Sequence, residues 1–96
     1  MSVHTTLACQ LINPSLEALK VFLEKNLKNV RAFQGCLDVK VFFDSENSEM
    51  LLEEKWESIE HHQKYLKFIE ANGVLGELAS FLKGPPDIKY FEKEAI

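Results

Sequence analysis

Apolar and polar positions change their period several times along this chain, and each change marks an element. Val3 to Ile12 is short, rich in Val, Thr, Leu and Ile, and stops at Asn13-Pro14, which predicts a strand. Asn13-Pro14-Ser15 also starts a helix, because Pro14 in a first turn has no N–H to leave unsatisfied. From there Leu16, Leu19, Phe22, Leu23, Leu27 and Val30 fall on one face at helical spacing. They predict an amphipathic helix of about four turns, ended by Gly35. Cys36 to Asp44 then alternates with period 2. Leu37, Val39, Val41 and Phe43 share one side, and Cys36, Asp38, Lys40 and Phe42 share the other. The polar stretch Asp44-Ser45-Glu46-Asn47-Ser48 turns the chain into a partner strand, Glu49 to Trp56. Met50, Leu52, Glu54 and Trp56 point one way, and Leu51, Glu53 and Lys55 the other. Ser58 is a good N-cap for a second helix, whose apolar half holds Ile59, His61, His62, Tyr65, Leu66, Phe68 and Ile69. Asn72-Gly73 breaks it, and a short third helix is predicted over Val74 to Leu82. Gly84-Pro85-Pro86 stops that helix, and Asp87 to Glu92 is a closing strand.

The order is therefore β-α-β-β-α-(α)-β. Two β-α-β halves around a hairpin predict an α+β, ferredoxin-like subunit with a four-stranded antiparallel sheet and its helices on one side. The other face of the hairpin is mixed. Phe42 and Leu51 are apolar there, and Asp38, Lys40, Glu53 and Lys55 are charged. A homodimer contact through this face competes with a solvated sheet carrying two hydrophobic residues.

Composition narrows the picture. Ninety-six residues make one domain, spanning 1–96, with little interior to spare for a pocket. Either the pocket is small or a second subunit supplies part of its wall. Eleven basic against fifteen acidic residues leave a net charge of −4, and Arg31 is the only arginine. That balance argues against nucleic-acid binding. No apolar run is long enough to span a membrane and no secretory leader is visible, so the expected location is cytoplasmic. Cys9 and Cys36 sit in predicted strands without CxxC spacing and read as reduced core residues.

His62 lies in the middle of the apolar half of the second helix and must find a partner there. It is either a pocket-lining proton acceptor or a satisfied core histidine. His61 lies at the edge of the same arc. Adjacent histidines point about 100° apart on a helix, so the pair makes a poor metal site and no metal is expected. Glu54 shares a face with Leu52 and Trp56. It is either a desolvated acid or base, or a strand-end carboxylate reaching solvent or a lysine. Trp56 either walls a cavity for an aromatic ligand or fills the corner between sheet and helix. Asn26 puts an amide inside the apolar arc of the first helix, and Tyr65 can offer its hydroxyl to a pocket. No nucleotide-binding, P-loop or serine-hydrolase motif is present, and nothing implies a bound cofactor.

Gly35-Cys36-Leu37, followed by Leu52-Glu53-Glu54-Lys55-Trp56-Glu57-Ser58-Ile59-Glu60, resembles the antibiotic biosynthesis monooxygenase family. A Gly-Cys pair commonly opens the second strand in that family, and Glu-x-Trp-x-Ser-x-Glu joins the third strand to the second helix. The resemblance in element order runs over residues 3–93. It implies a dimeric α+β barrel, in which two ferredoxin-like subunits meet through their sheets. It also implies a hydrophobic pocket between sheet and helices. Family enzymes oxidise phenols or quinols with oxygen and no cofactor, so the substrate itself supplies the electrons. Joined to the reading of the residues above, this makes His62 the expected proton acceptor, with Glu54 and Asn26 assisting. Trp56, Tyr65, Leu52, Leu66 and His61 would line the substrate site. One departure is Tyr65, nine residues after Trp56, where the family often has histidine. Haem-degrading relatives have a second tryptophan there and a haem-ligating histidine further on. This chain has neither, which sets haem degradation aside. A non-catalytic sensing module and an isomerase on the same scaffold remain alternatives.

Overall fold

The computed structural model describes residues 2–13 and 16–96, so the helix-start signal at Pro14 lies outside the described residues. Strands β1 (Val3–Gln10), β2 (Cys36–Asp44), β3 (Glu49–Trp56) and β4 (Asp87–Phe91) form one antiparallel sheet in the order β2-β3-β1-β4. Helices α1 (Glu17–Ala32), α2 (Ile59–Ala71) and α3 (Val74–Ala79) complete the β-α-β-β-α-α-β order. This is the α+β, ferredoxin-like arrangement that the periodicity predicts. The third helix ends three residues before the predicted Leu82, which instead bridges Leu11 beside the sheet.

Strand alternation sorts the side chains into two faces. The inner face of β1 carries Val3, Thr5, Leu7 and Cys9, paired in register with Trp56, Glu54, Leu52 and Met50 of β3. Of these, Leu7, Cys9, Leu52 and Met50 pack under Leu19, Phe22 and Leu23 of α1 and Leu78 of α3 in the main apolar core. A second cluster gathers Val3, Val30, Val39 and Trp56. Phe33, just past α1, extends it with rings 5.2 Å from Tyr65 and 5.4 Å from Phe68. Phe68 itself stays half exposed, although the helical wheel puts it on the apolar side.

One predicted facing is wrong. A bulge between Cys36 and Asp38 sets Cys36 opposite Trp56 and Asp38 opposite Lys55. Cys36 therefore turns inward against the second cluster, and Leu37 turns out to solvent. An extra residue in one strand reverses the alternation on one side of it. Past the bulge the predicted register holds: Asp38, Lys40 and Phe42 face Lys55, Glu53 and Leu51.

The turn into the bulge rests on Gly35. Its φ of +94° is left-handed, and a Cβ there would overlap the His61 ring. Its carbonyl accepts the Glu57 N–H at 2.8 Å. Glycine is needed here for both its backbone freedom and its missing side chain. Arg31 is spent nearby, donating from Nη2 to the Val39 carbonyl at 2.9 Å.

Candidate functional site

The inner row of the sheet beneath α2 runs Val39, Glu54, Thr5, Tyr90. Three of its members, Val39, Glu54 and Thr5, are buried. Glu54 sits mid-face because β3 keeps strict alternation from Met50 to Trp56. His62 reaches down from the first turns of α2, whose start Ser58 caps by accepting the His61 N–H at 3.1 Å.

A chain of polar contacts crosses this floor. Trp56 Nε1–H donates to Glu54 Oε1 at 2.8 Å. The same oxygen lies 3.6 Å from His62 Nε2. On the ring's other side, His62 Nδ1 is 2.7 Å from the Tyr90 hydroxyl. Both His62 and Glu54 are at most 4% exposed. Burial pushes the His62 imidazole down to about 4 and the Glu54 carboxyl up, against the Trp56 N–H that favours its charged form. The low-dielectric surroundings thus hold the imidazole neutral and disfavour the charged form of the carboxyl. The solvent-reaching alternative for Glu54 does not apply.

Over this pair is an apolar cavity of about 50 Å³. Leu7 and Leu52 of the sheet, Phe22, Leu23 and Asn26 of α1, Tyr65, Leu66 and Ile69 of α2, and Leu75 and Leu78 of α3 wall it, with Glu54 and His62 as its ionisable members besides Tyr65. Burial pushes the Tyr65 phenol up to about 12, so it stays protonated. Asn26, part of the cavity wall, donates one N–H to the Phe22 carbonyl at 2.8 Å, which leaves a second N–H and an oxygen on its amide.

Six of the eight sequence-picked residues therefore converge: His62, Glu54, Asn26, Tyr65, Leu52 and Leu66. Trp56 does not line the cavity. It is fully buried behind the row, 5.3 Å ring to ring from His62, and acts on the site through Glu54. His61 lies elsewhere, against Gly35, with Nδ1 2.6 Å from Ser58 Oγ and Nε2 3.7 Å from Glu57. It plugs the junction of β2 and α2. The two histidines diverge as their adjacency dictates, and among the described residues no three His, Cys, Asp or Glu side chains gather as a metal site.

Sequence reasoning missed Tyr90 and Thr5. Tyr90 lies in a short strand whose alternation Asp-Ile-Lys-Tyr-Phe is readable, but its pairing with β1 is not local. Thr5 is fully buried and its hydroxyl has no hydrogen-bond partner. The thiols of Cys9 and Cys36 are free, and burial pushes each up to about 11, away from reactivity.

No family model matches the sequence, and no curated protein matches it. Solved structures do match in fold. Rv0793 from Mycobacterium tuberculosis superposes with a TM-score of 0.79 at 16% identity over the whole of both chains. A protein named antibiotic biosynthesis monooxygenase gives 0.82 at 8% identity, covering 96% of this chain and 98% of that one. The monooxygenase from the gene ActVA-Orf6 of Streptomyces coelicolor, solved with nanaomycin D, gives 0.77 at 17% identity, covering 99% and 90%. The chain has the fold of the antibiotic biosynthesis monooxygenases. Among the described residues no helix is long and apolar enough to cross a membrane.

Proposed function

We propose that this protein is a cofactor-independent monooxygenase acting on a small phenol or quinol with molecular oxygen. The observation that supports this reading best is a buried imidazole, held neutral, beside a buried carboxyl at the wall of a largely apolar cavity. A neutral imidazole there is a proton acceptor shielded from water. His62 takes the substrate's hydroxyl proton. Glu54 faces the imidazolium so formed, and the free N–H of Asn26 is within the cavity wall to stabilise an oxyanion. The electron-rich ring carbon of the anion gives its electrons to oxygen and forms a C–O bond. Loss of that carbon's hydrogen and cleavage of the O–O bond leave a carbonyl. The second oxygen departs as water, taking up the two hydrogens removed from the substrate. Every electron comes from the substrate, so the balance requires no other reductant. The ligand complex of the ActVA-Orf6 monooxygenase adds support for a small organic ligand on this fold.

The cavity is smaller than the roughly 150 Å³ that holds a benzene ring. Binding therefore requires an outward shift of the wall. The six-residue α3, which contributes Leu75 and Leu78, is the shortest helix in that wall. We place a second copy on the bare sheet face, where Phe42 and Leu51 pair across β2 and β3 amid Asp38, Lys40, Glu53 and Lys55. Phe42 is 48% exposed in the single chain, which a homodimer would cover.

The test is oxygen uptake with a panel of hydroquinones and naphthols. Wild-type protein is expected to consume oxygen. His62→Asn, folded by circular dichroism, is expected to lose at least 100-fold in kcat, the scale of a lost general base. Uptake at the wild-type rate in that variant removes His62 from the chemistry. Saturable binding without uptake replaces the enzyme with a sensing module.

A further inference from the structure

His62 is sealed on its Glu54 side, yet its ring is not cut off from the outside. The structure offers one connection. The Tyr90 hydroxyl lies 2.7 Å from His62 Nδ1, on the nitrogen opposite the one facing Glu54. Their rings meet edge to face at 5.5 Å, so the contact is held by packing as well as by the hydrogen bond. Tyr90 is only half buried, because β4 is an edge strand of the sheet. Its phenol thus bridges a fully buried imidazole and the sheet edge.

Among the described residues no other hydrogen bond reaches that nitrogen. Facing His62 are Glu54 from β3, Tyr90 from β4 and, one turn on, Tyr65 of α2. Helices α1 and α3 present only apolar side chains and the Asn26 amide to the cavity. Lys89 and Asp87 of β4 point to the opposite face, where they pair with each other at 3.8 Å. Burial and the nearby Glu54 push the Tyr90 phenol up, so its hydroxyl keeps its proton while it relays another.

We propose that Tyr90 is the positioning and proton-relay residue for His62, passing protons between its Nδ1 and solvent while the cavity stays closed. In the outward step, the Nδ1–H bond of the imidazolium breaks as the Tyr90 oxygen takes that proton. The hydroxyl's original proton passes to water. Only N–H and O–H bonds change, and the reverse step recharges the ring. The same bond sets which ring nitrogen of the resting neutral His62 carries hydrogen. This role rests on the proton-acceptor reading of His62, but its physical core can be measured without turnover.

The experiment is nitrogen-15 NMR of histidine-labelled protein, wild type against Tyr90→Phe. The phenylalanine variant is expected to keep its circular dichroism while exchange of the His62 ring N–H with water slows at least tenfold. Its ring-nitrogen shifts are expected to move from one dominant tautomer to a mixture. With a substrate from the hydroquinone panel, kcat falls about tenfold and KM is unchanged. Incorporating 3-fluorotyrosine, which keeps the hydroxyl and lowers its pKa, is expected to hold exchange within about twofold of wild type. Unchanged exchange and an unchanged tautomer in Tyr90→Phe overturn the relay. If wild-type protein shows no oxygen uptake, the oxygenase reading fails, and the exchange comparison still decides the relay.

Discussion

At the scale of single residues, the site is governed by desolvation. His62 carries no resolved charge partner strong enough to offset its burial, and it stays neutral down to about pH 4. This has a sign that can be tested. In the unfolded chain His62 binds a proton below its ordinary value of 6.5, whereas in the fold it does so only near 4. The unfolded state therefore holds more protons in that window, and stability drops as pH falls through it. At 1.36 kcal/mol per pKa unit, the loss attributable to His62 is about 3 kcal/mol by pH 4. Glu54 works the other way: its raised value makes its burial least costly at low pH and increasingly costly as pH rises. Urea unfolding at pH 7, 6 and 5 separates the two. The stability of wild type relative to His62→Asn should shrink steadily from pH 7 to 5. A constant difference would mean that His62 is not held neutral by the fold.

At the scale of elements, the site depends on how β2 and α2 begin. Gly35 closes the turn into β2, its carbonyl receives the Glu57 N–H, and the His61 ring occupies the space its missing side chain leaves. Ser58 ties the same ring to the N-terminus of α2. That junction fixes the start of α2 and, one residue on, the direction of His62. Gly35→Ala combines a disfavoured backbone conformation with an overlap against His61, and it should cost roughly 2 kcal/mol or more. The midpoint of chemical denaturation is the measurement. Because the strain falls on α2, oxygen uptake should drop more than Gly73→Ala lowers it, since that glycine is also left-handed but its Cβ would meet nothing within 4 Å. The Gly-Cys pair and the Trp-x-Ser stretch, short as strings, are the two sides of this one joint.

For the whole molecule, the two faces of the sheet have different tasks. The helices cover one face and bury the row from Val39 to Thr5, leaving Tyr90 at its end half buried. The other face presents Phe42 opposite Leu51, Lys40 opposite Glu53 and Asp38 opposite Lys55, with His4 of β1 3.4 Å from Glu53. Lys40 Nζ also lies 3.4 Å from Asp38, and exposed pairs like this contribute little on their own, so the apolar pair is the part that association would reward. Sedimentation of the wild type is expected to give a dimer at micromolar concentration. Leu51→Glu puts a carboxylate at the centre of that face and should weaken the dimer at least 100-fold without changing the circular dichroism. A monomeric wild type overturns the arrangement.

Much of this was legible in the residues themselves. Periodicity, residue type and the Pro, Gly and Ser start and stop signals together place all four strands and the helices, because apolar residues at spacings of two and of 3.6 each bury one face. Periodicity also puts Glu54 and His62 toward the same interior. Two things were beyond its reach. A bulge leaves no mark in local alternation, so Cys36 and Leu37 exchange faces only once β2 must register with β3. Long-range pairing is equally silent: Tyr90 meets His62 across 28 positions, and only the placement of β4 beside β1 brings them together. The sequence by itself determined the elements and the layering, since those follow from local spacing and hydrophobicity. The tertiary structure decided which of the buried groups touch. It put Trp56 behind Glu54, His61 against Gly35 and Tyr90 on His62, because contacts between elements depend on registers and crossings that no stretch of chain carries alone.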